Sequence, residues 1–141
     1  MHSIAYATSD ADIERCFPVI AELRPHLNEG EFVERVRRQE AFGYRLIFLE
    51  NDAAVKSVAG FRVSENLAWG KFLYVDDLVT RHSDGGQGFG GALLDWLLER
   101  AKAEGCQQFH LDSGVQRFEA HRFYFKKGLV ITCHHFAVKL E

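Results

Sequence analysis

Residues 72–98 read FLYVDDLVTRHSDGGQGFGGALLDWLL, and this stretch decides how the chain folds. A β-rich run enters a polar loop that holds five glycines, and an apolar helical pattern follows at once. Glycines at a strand-to-helix turn let bare backbone approach a ligand. The first amides of the helix lack intrahelical acceptors and carry the positive end of its dipole. The turn therefore predicts a site for phosphate or pyrophosphate, and hence for a phosphorylated cofactor.

The rest of the chain predicts a mixed α/β sheet around this turn. A short first strand precedes two helices, of which the first has Ser9 at its N-cap and a proline, Pro18, that should kink or split it. A meander of three antiparallel strands leads to the glycine turn. The helix after it crosses over to a parallel strand at residues 108–111. A further helix at about 116–127 and closing strands at 129–132 and 134–140 complete the predicted order.

Bulk properties exclude several classes of protein. The 141 residues predict a single domain spanning 1–141, and a composition of 47% hydrophobic and 26% charged residues excludes dominant disorder. A net charge of -3 provides no general attraction to nucleic acid or an anionic membrane. The sequence has no bilayer-length apolar run and no signal-peptide pattern at its start, so we expect a cytoplasmic protein. Three widely spaced cysteines (Cys16, Cys106, Cys133) predict reduced thiols and no metal site.

Two nucleotide-binding interpretations of the glycine loop are weak. A P-loop would need Lys and Ser or Thr after the glycines, and both are missing. A Rossmann turn fits better, because Gly86, Gly88 and Gly91 match G-x-G-x-x-G and Asp112 follows the next strand. Against it, four residues separate the strand from the glycines, and the chain supplies few parallel strands.

A third interpretation uses the whole segment. A strand ending at residues 78–80, a polar loop, Gly88-x-Gly90 and an Ala-Leu-Leu helix resemble the acetyl-CoA-binding motif of the GCN5-related N-acetyltransferases (GNAT). The family signature is Arg/Gln-x-x-Gly-x-Gly/Ala. This chain departs from it at the first position, where Gly85 replaces Arg or Gln, and the nearest cation, Arg81, precedes the loop.

A second segment supports the same resemblance. Residues 120–129, AHRFYFKKGL, are similar to the family's C-terminal Ala-x-x-Phe-Tyr-x-x-x-Gly-Phe, although Arg117 stands where many members carry Asn. The order of elements also follows the family over essentially the whole chain. The resemblance implies an acyl-CoA N-acyltransferase fold, with a mixed central sheet of about six to seven strands flanked by about four helices.

The resemblance also implies where acetyl-CoA binds. The loop amides would hold the pyrophosphate, while the end of the central strand would pair with the pantetheine amides like an added strand. An N–H near Leu78 would polarise the thioester carbonyl. The implied cofactor-binding residues are Leu78, Val79, Thr80, Gly85, Gly86, Gln87, Gly88, Phe89, Gly90 and Gly91.

Two aspartates in the apolar central strand are candidates for the catalytic base. An attacking amine must lose a proton, and Asp is disfavoured inside strands. The resemblance implies that Asp76 takes the base role, with Asp77 as second choice. By alternation we expect the two side chains on opposite faces of the sheet. The alternative is that both bind loop backbone or attract a cationic substrate.

Tyr124 matches the family tyrosine that protonates the departing CoA thiolate. Its alternative role is that of a core aromatic beside Phe123 and Phe125. Neither Cys106 nor Cys133 has an evident base partner, so direct attack in a ternary complex is the simpler mechanism.

The acceptor is left open by the sequence. Glu22, Glu29 and Glu31 would attract an amine, or would equally be solvated helix charges. The expected function is acetyl-CoA-dependent acetylation of a primary amine, favouring a small molecule, without metal, nucleic acid or membrane. Two other functions stay open: a non-catalytic CoA-binding module on the same fold, and a small dinucleotide-binding domain. Residues 136–140 are placed to pair across a two-fold axis, which would give a homodimer.

Overall fold

The computed structural model describes residues 1–141. Its regular elements are five strands and four helices, with a 3₁₀ turn before α2 and another before α3. In chain order they are β1 (His2–Tyr6), α1 (Asp10–Leu23), α2 (Phe32–Glu40), β2 (Arg45–Asn51), β3 (Ala54–Asn66), β4 (Gly70–Thr80), α3 (Phe89–Ala103), β5 (Gln108–Leu111) and α4 (Phe118–Lys126).

The chain forms two compact units, Met1–His110 and Leu111–Glu141. The first contains α1 to α3 and nearly all of a five-stranded sheet in the order β1-β2-β3-β4-β5. Strands β1 to β4 pair antiparallel in succession. The second unit contains α4, and residues 129–141 after it have no regular secondary structure. The expectation of one domain over 1–141 stays a prediction.

Helices cover both faces of the sheet in the first unit. On one face, α1 and α2 share a buried core with the alternating side chains Leu46 and Phe48 of β2. On the other, Trp96 of α3 meets the rings of Tyr6 and Phe61 edge-on, with centroids 5.6 and 6.2 Å apart. Each fully buried aliphatic side chain in such a core contributes about 1.5–3 kcal/mol. This packing fixes the sheet on which the functional residues lie.

The first helix starts where the sequence predicts and does not split. The Ser9 hydroxyl accepts a 3.1 Å hydrogen bond from the Asp12 amide, which confirms the N-cap. The helix runs unbroken through Pro18, so of the two predicted effects, a kink or a split, the split is wrong. Buried Ile13 and Cys16 before the proline, and Ile20 after it, hold both halves on the sheet. Tertiary packing of that apolar face compensates for the missing amide hydrogen bond.

The closing strands predicted at 129–132 and 134–140 are absent. A strand exists only with a ladder partner, and these residues pair with no other segment of the chain. The sheet therefore has five strands rather than six to seven. The four helices agree with the prediction. None of the helices has the length and apolar character that crossing a membrane requires.

A β-bulge lies in the middle of the sheet. Along β3 and β4, Gly60 pairs with Asp77 and Phe61 pairs with Val75, so Asp76 is an extra residue without a partner on β3. A bulge of this kind bends the strand and redirects its side chains. It determines where the two aspartates of β4 point.

Candidate active site

The glycine loop is an open cradle of unpaired amides. The Gly85 amide binds the His82 carbonyl and the Ala92 amide begins the helical ladder at Gly88, whereas the amides of residues 86–91 have no backbone acceptor. Gly88 caps α3 at a φ of 85°, a conformation that favours glycine. A Cβ added at Gly86 or Gly88 would meet no atom within 4 Å. The backbone at Gly86 and Gly88 is therefore open, as an anion-binding turn requires.

The end of β4 lies directly beside the start of α3. A Cβ on Gly90 would sit 2.9 Å from the Thr80 hydroxyl oxygen, so the absence of a side chain permits this approach. The Thr80 hydroxyl lies 3.1 Å from that of Ser57, which donates to the Val79 carbonyl at 2.9 Å. The structure thus brings the predicted strand end and the predicted helix start together.

The outer side of β4 is left unpaired by β5 at this end. The Gln107 amide donates to the Lys71 carbonyl at 2.7 Å, and β5 continues for only four residues from there. A four-residue strand that begins beside Lys71 does not reach residues 78–80. Their backbone groups on that side have no ladder partner in β5, which suits them to pairing with an extended ligand.

Asp84 anchors the loop before the glycines. Its buried carboxylate accepts hydrogen bonds from Arg81 and, at 3.4 Å, from Lys56 of β3. The Arg81 hydrogen bond lowers the pKa of Asp84 below its usual value, so the carboxylate is charged at neutral pH. The loop is also tied to α1, because Glu22 accepts a 2.7 Å hydrogen bond from the His82 amide.

A cavity of about 470 Å³ opens between α1, α2 and the middle of the sheet. Its volume falls in the range of small-molecule sites. Both predicted acids line it, together with three arginines and a mixed set of apolar and polar side chains. The lining residues are Ile20, Arg24, His26, Leu27, Phe32, Arg35, Val36, Gln39, Tyr44, Arg62, Tyr74, Asp76 and Asp77.

Both oxygens of the Asp77 carboxylate are engaged by neighbours. Arg24 Nε donates to Oδ1 at 2.9 Å, and the Tyr44 hydroxyl donates to Oδ2 at 2.8 Å. Burial, followed by the Asp77 charge, raises the pKa of Tyr44 well above its usual value, so the phenol keeps its proton. Asp77 is thus held as a structural acceptor.

Asp76 is less fully occupied. Arg62 Nε donates to its Oδ2 at 2.7 Å, and its backbone carbonyl accepts from Arg24 at 2.9 Å. Burial raises the pKa of Asp76 above its usual value, while the Arg62 hydrogen bond acts in the opposite direction. A carboxylate with a raised pKa is a better proton acceptor than an ordinary one.

The expectation that the two aspartates face opposite ways is wrong. Both line the same cavity, and Asp76 contacts Arg62 while Asp77 contacts Tyr44, whose ring stacks with the Arg62 guanidinium at 5.4 Å. The bulge at Asp76 inserts one residue and breaks the strict alternation at this point.

Tyr44 reaches this position because residue 60 has no side chain. A Cβ at Gly60 would lie 1.8 Å from the Tyr44 hydroxyl oxygen. Gly60 is also the residue that pairs with Asp77 across the bulge. The Tyr44 ring therefore approaches β3 this closely because residue 60 is glycine.

Sequence reasoning did not single out the residues that hold the aspartates. Arg24 follows the last residue of α1 and is 53 residues from its partner Asp77. Arg62 lies within β3 and is 14 residues from its partner Asp76. One signal was available: Arg62 is a charged residue inside a central strand, as the aspartates are. The pairing itself depends on tertiary structure.

The acidic candidates for attracting the acceptor lie elsewhere. Glu29 and Glu31 are exposed in the 3₁₀ turn before α2, and Glu22 binds the loop amide. None of the three lines the cavity. Solvated or structural roles account for them.

The remaining predicted groups are one tyrosine and the cysteines. Tyr124 lies in α4 of the second unit, half-buried, and burial raises its pKa above the usual value, so it keeps its proton. Its role as proton donor stays a prediction. Cys16 is buried, which raises the pKa of its thiol to about 12, and Cys106 shows a raised pKa for the same reason. A protonated thiol is a poor nucleophile. No three His, Cys, Asp or Glu side chains are grouped so that they could hold a metal ion.

Comparison with known proteins identifies relatives. The family model for the acetyltransferase (GNAT) family matches residues 10–129. The uncharacterized N-acetyltransferase YhdJ of Bacillus subtilis (strain 168) is 31% identical over 121 residues, covering 85% of each protein. The aminoalkylphosphonate N-acetyltransferase of Salmonella typhimurium is 35% identical over 54 residues, covering 38% of this chain and 35% of that enzyme.

The fold is shared with solved structures. The ribosomal-protein-alanine N-acetyltransferase from Brucella melitensis biovar Abortus 2308 superposes with a TM-score of 0.85, at 15% identity, over 100% of both chains. With a family match over most of its length and a relative at 31% identity, this chain belongs to the GNAT family of acetyltransferases and is an enzyme of the N-acetyltransferase class.

Proposed function

We propose that this protein transfers an acetyl group from acetyl-CoA to the primary amine of a small molecule, by direct attack in a ternary complex. One observation carries the proposal. On the single strand β4, Asp76 lines a ligand-sized cavity, and the strand then continues through residues 78–80 to the amide cradle at the start of α3. An acid and a phosphate site are thus linked by a few residues of backbone.

The residues present fit the cosubstrate. The amides of residues 86–91 lack acceptors and the corner is open, which suits a diphosphate. The unpaired side of residues 78–80 suits the amides of an extended arm. Gly85 leaves this site without the Arg or Gln side chain of the family pattern, so backbone amides carry the binding. Acetyl-CoA, when bound, supplies the acetyl group as an activated thioester.

Asp76 is the proposed proton acceptor. A free alkyl ammonium has a pKa of about 10.4 and must lose its proton before the nitrogen attacks. Asp76 has one carboxylate oxygen engaged by Arg62 and a raised pKa, while both oxygens of Asp77 are engaged. The proton passes to Asp76 directly or through water. Asp77 orients Arg24 and Tyr44 around the cavity.

Two further groups are assigned by the resemblance. The backbone N–H near Leu78 donates to the carbonyl oxygen as negative charge develops on it. When the carbon–sulfur bond breaks, the Tyr124 hydroxyl gives its proton to the thiolate. Both roles are proposals, and neither Cys16 nor Cys106 takes part as a covalent carrier.

A small acceptor is favoured by the cavity and by one relative. The cavity of about 470 Å³ accommodates a compact molecule. The Salmonella relative, similar over 54 residues, is named for an aminoalkylphosphonate, which is a small amine. The test is an amine panel with acetyl-CoA in which thiol release and the mass of the acetylated product are both measured.

We also propose that the protein forms a homodimer through residues 136–140. Along this segment Phe136, Val138 and Leu140 are 81 to 94% exposed and alternate with Ala137 and Lys139, so an extended backbone places the three on one face. Monomers rarely expose such an apolar stripe. A second copy of the same segment is self-complementary across a two-fold axis.

A further inference from the structure

The three arginines of the acceptor cavity are not equivalent. Arg24 binds Asp77 and the Asp76 carbonyl, and Arg62 binds Asp76 and the Gln39 side chain. The third, Arg35 on α2, lines the same cavity, but its Nε is buried and has no hydrogen-bond partner. A buried polar group without a partner is rare and costly.

The charges of the cavity lining also single out Arg35. Its guanidinium groups are those of Arg24, Arg35 and Arg62, and its carboxylates are those of Asp76 and Asp77. The two acids pair with two of the arginines, which leaves the Arg35 charge uncompensated. A cavity with one cation in excess favours a ligand that brings an anion.

We propose that the acceptor amine carries an oxyanion (phosphonate, phosphate or carboxylate) and that Arg35 binds it. This inference rests on the proposed acetyltransfer and defines its substrate class. A guanidinium presents parallel N–H donors that match two oxygens of such a group. The ligand thereby supplies the counter-charge that Arg35 lacks, while its amine lies toward Asp76 at the sheet.

The same arrangement selects against other amines. A polyamine would add positive charge beside an uncompensated guanidinium and would leave Arg35 without a partner. An amine without an anionic group would also leave the Arg35 charge uncompensated. Sites built around such a group discriminate strongly against ligands that cannot bond to it.

The first experiment measures binding without turnover. Isothermal titration of 2-aminoethylphosphonate, β-alanine and ethanolamine into the protein, with and without CoA, compares two amines that carry an oxyanion with an amine of similar size that has no anionic group. We expect at least one oxyanion to bind about 10- to 100-fold more tightly than ethanolamine, the range for a hydrogen bond to a charged group. The phosphonate and carboxylate arms show which oxyanion the site prefers.

Variants test whether Arg35 is responsible. Arg35→Met should remove the preference for the oxyanion, and Arg35→Lys should restore part of it. Arg38→Met on the same helix, an exposed residue 4.0 Å from Glu34, is the matched control and should bind as the wild type does. Thermal unfolding of each variant shows whether α2 is still folded. Equal affinity for the oxyanions and ethanolamine, or an oxyanion preference that persists in folded Arg35→Met, would overturn the inference.

Turnover separates this inference from the proposed function. If neutral amines are acetylated as efficiently as oxyanion-bearing ones, the acetyltransfer stands and the substrate class is wrong. If the oxyanions bind through Arg35 and no amine is acetylated, the anion site stands and the acetyltransfer is wrong.

Discussion

The Arg62 guanidinium donates from Nε to Oδ2 of Asp76 across 2.7 Å, from one central strand to the bulged residue of the next. This contact does two things. It holds the carboxylate that the bulge directs into the cavity, and it moderates the increase in pKa that burial causes. Proton transfer in the proposed reaction depends on both.

Replacing the proposed base should reduce turnover without removing the cosubstrate. We expect Asp76→Asn to lower kcat/KM about 10²- to 10⁴-fold, the range for losing a general base. The increase in Tm on adding acetyl-CoA should persist, because the amide cradle is untouched. Glu65→Gln, an exposed change on β3, is the control. A larger decrease in kcat/KM for Asp77→Asn than for Asp76→Asn would show that Asp77, not Asp76, is the base.

Replacing Arg62 should move the pH profile. Asp76 acts as a base only when it is deprotonated, so activity rises with pH through its pKa, which lies above the ordinary 3.8. Removing Arg62 takes away the main group that opposes the effect of burial and raises that pKa further. The acid limb of kcat/KM should therefore shift to higher pH in Arg62→Gln and stay unchanged in Arg38→Gln. An acid limb that stays in place or moves to lower pH in Arg62→Gln would contradict the proposed role of Asp76.

Tyr44 should contribute to stability through Asp77. Tyr44→Phe removes a buried hydroxyl that donates to a charged group, which should lower the free energy of unfolding by about 1.5–3 kcal/mol. Denaturant unfolding measures this, with Tyr6→Phe as the matched control, expected within about 0.5 kcal/mol of wild type. Equal changes in the free energy of unfolding for the two variants would show that the hydrogen bond from the Tyr44 hydroxyl to Asp77 does not stabilise the fold.

Restoring the family cation at position 85 should strengthen cosubstrate binding. The Gly85 backbone is extended (φ -63°, ψ 147°), and a Cβ there would make only an ordinary 3.4 Å contact, so a side chain fits. We expect Gly85→Arg to lower the Kd for acetyl-CoA about 1.5- to 5-fold, as for an exposed ion pair, and the gain to vanish at high salt. Gly85→Met is the uncharged control. A gain of the same size in Gly85→Met would show that charge is not its cause.

The parity of the C-terminal segment tests the homodimer. Light scattering should show a dimer for the wild type, and Phe136→Asp with Val138→Asp should shift it to monomer. The changes Ala137→Asp and Lys139→Asp fall on the other face and should leave the dimer intact. A monomeric wild type would refute the proposed homodimer. Loss of the dimer in both double variants would refute the claim that one face of the segment forms the interface.

The sequence allowed the order of the elements and the glycine turn to be predicted, because their signals are local. Ser9 caps its helix through a bond three residues away, and Gly88 adopts its φ within the turn itself. The bulge at Asp76 was missed because it is a property of the register between two strands. Arg24 was missed as a partner of Asp77 because 53 residues separate them.

The predicted closing strands show that a local signal is not always sufficient to form an element. The alternation from Val130 to Leu140 gives strand propensity, yet a strand also needs a ladder partner, and the chain supplies none there. Pro18 shows the same principle in a helix, since the packing of Ile13 and Ile20 outweighs a local breaker.

The most direct test of the account is acetyl transfer itself, followed by thiol release and product mass with the wild-type protein, acetyl-CoA and a panel of small primary amines. We predict one CoA thiol released for each amine acetylated, with the rate strongly reduced in Asp76→Asn. Stabilisation by acetyl-CoA without an acetylated product from any amine would instead identify a CoA-binding module and contradict the proposed reaction.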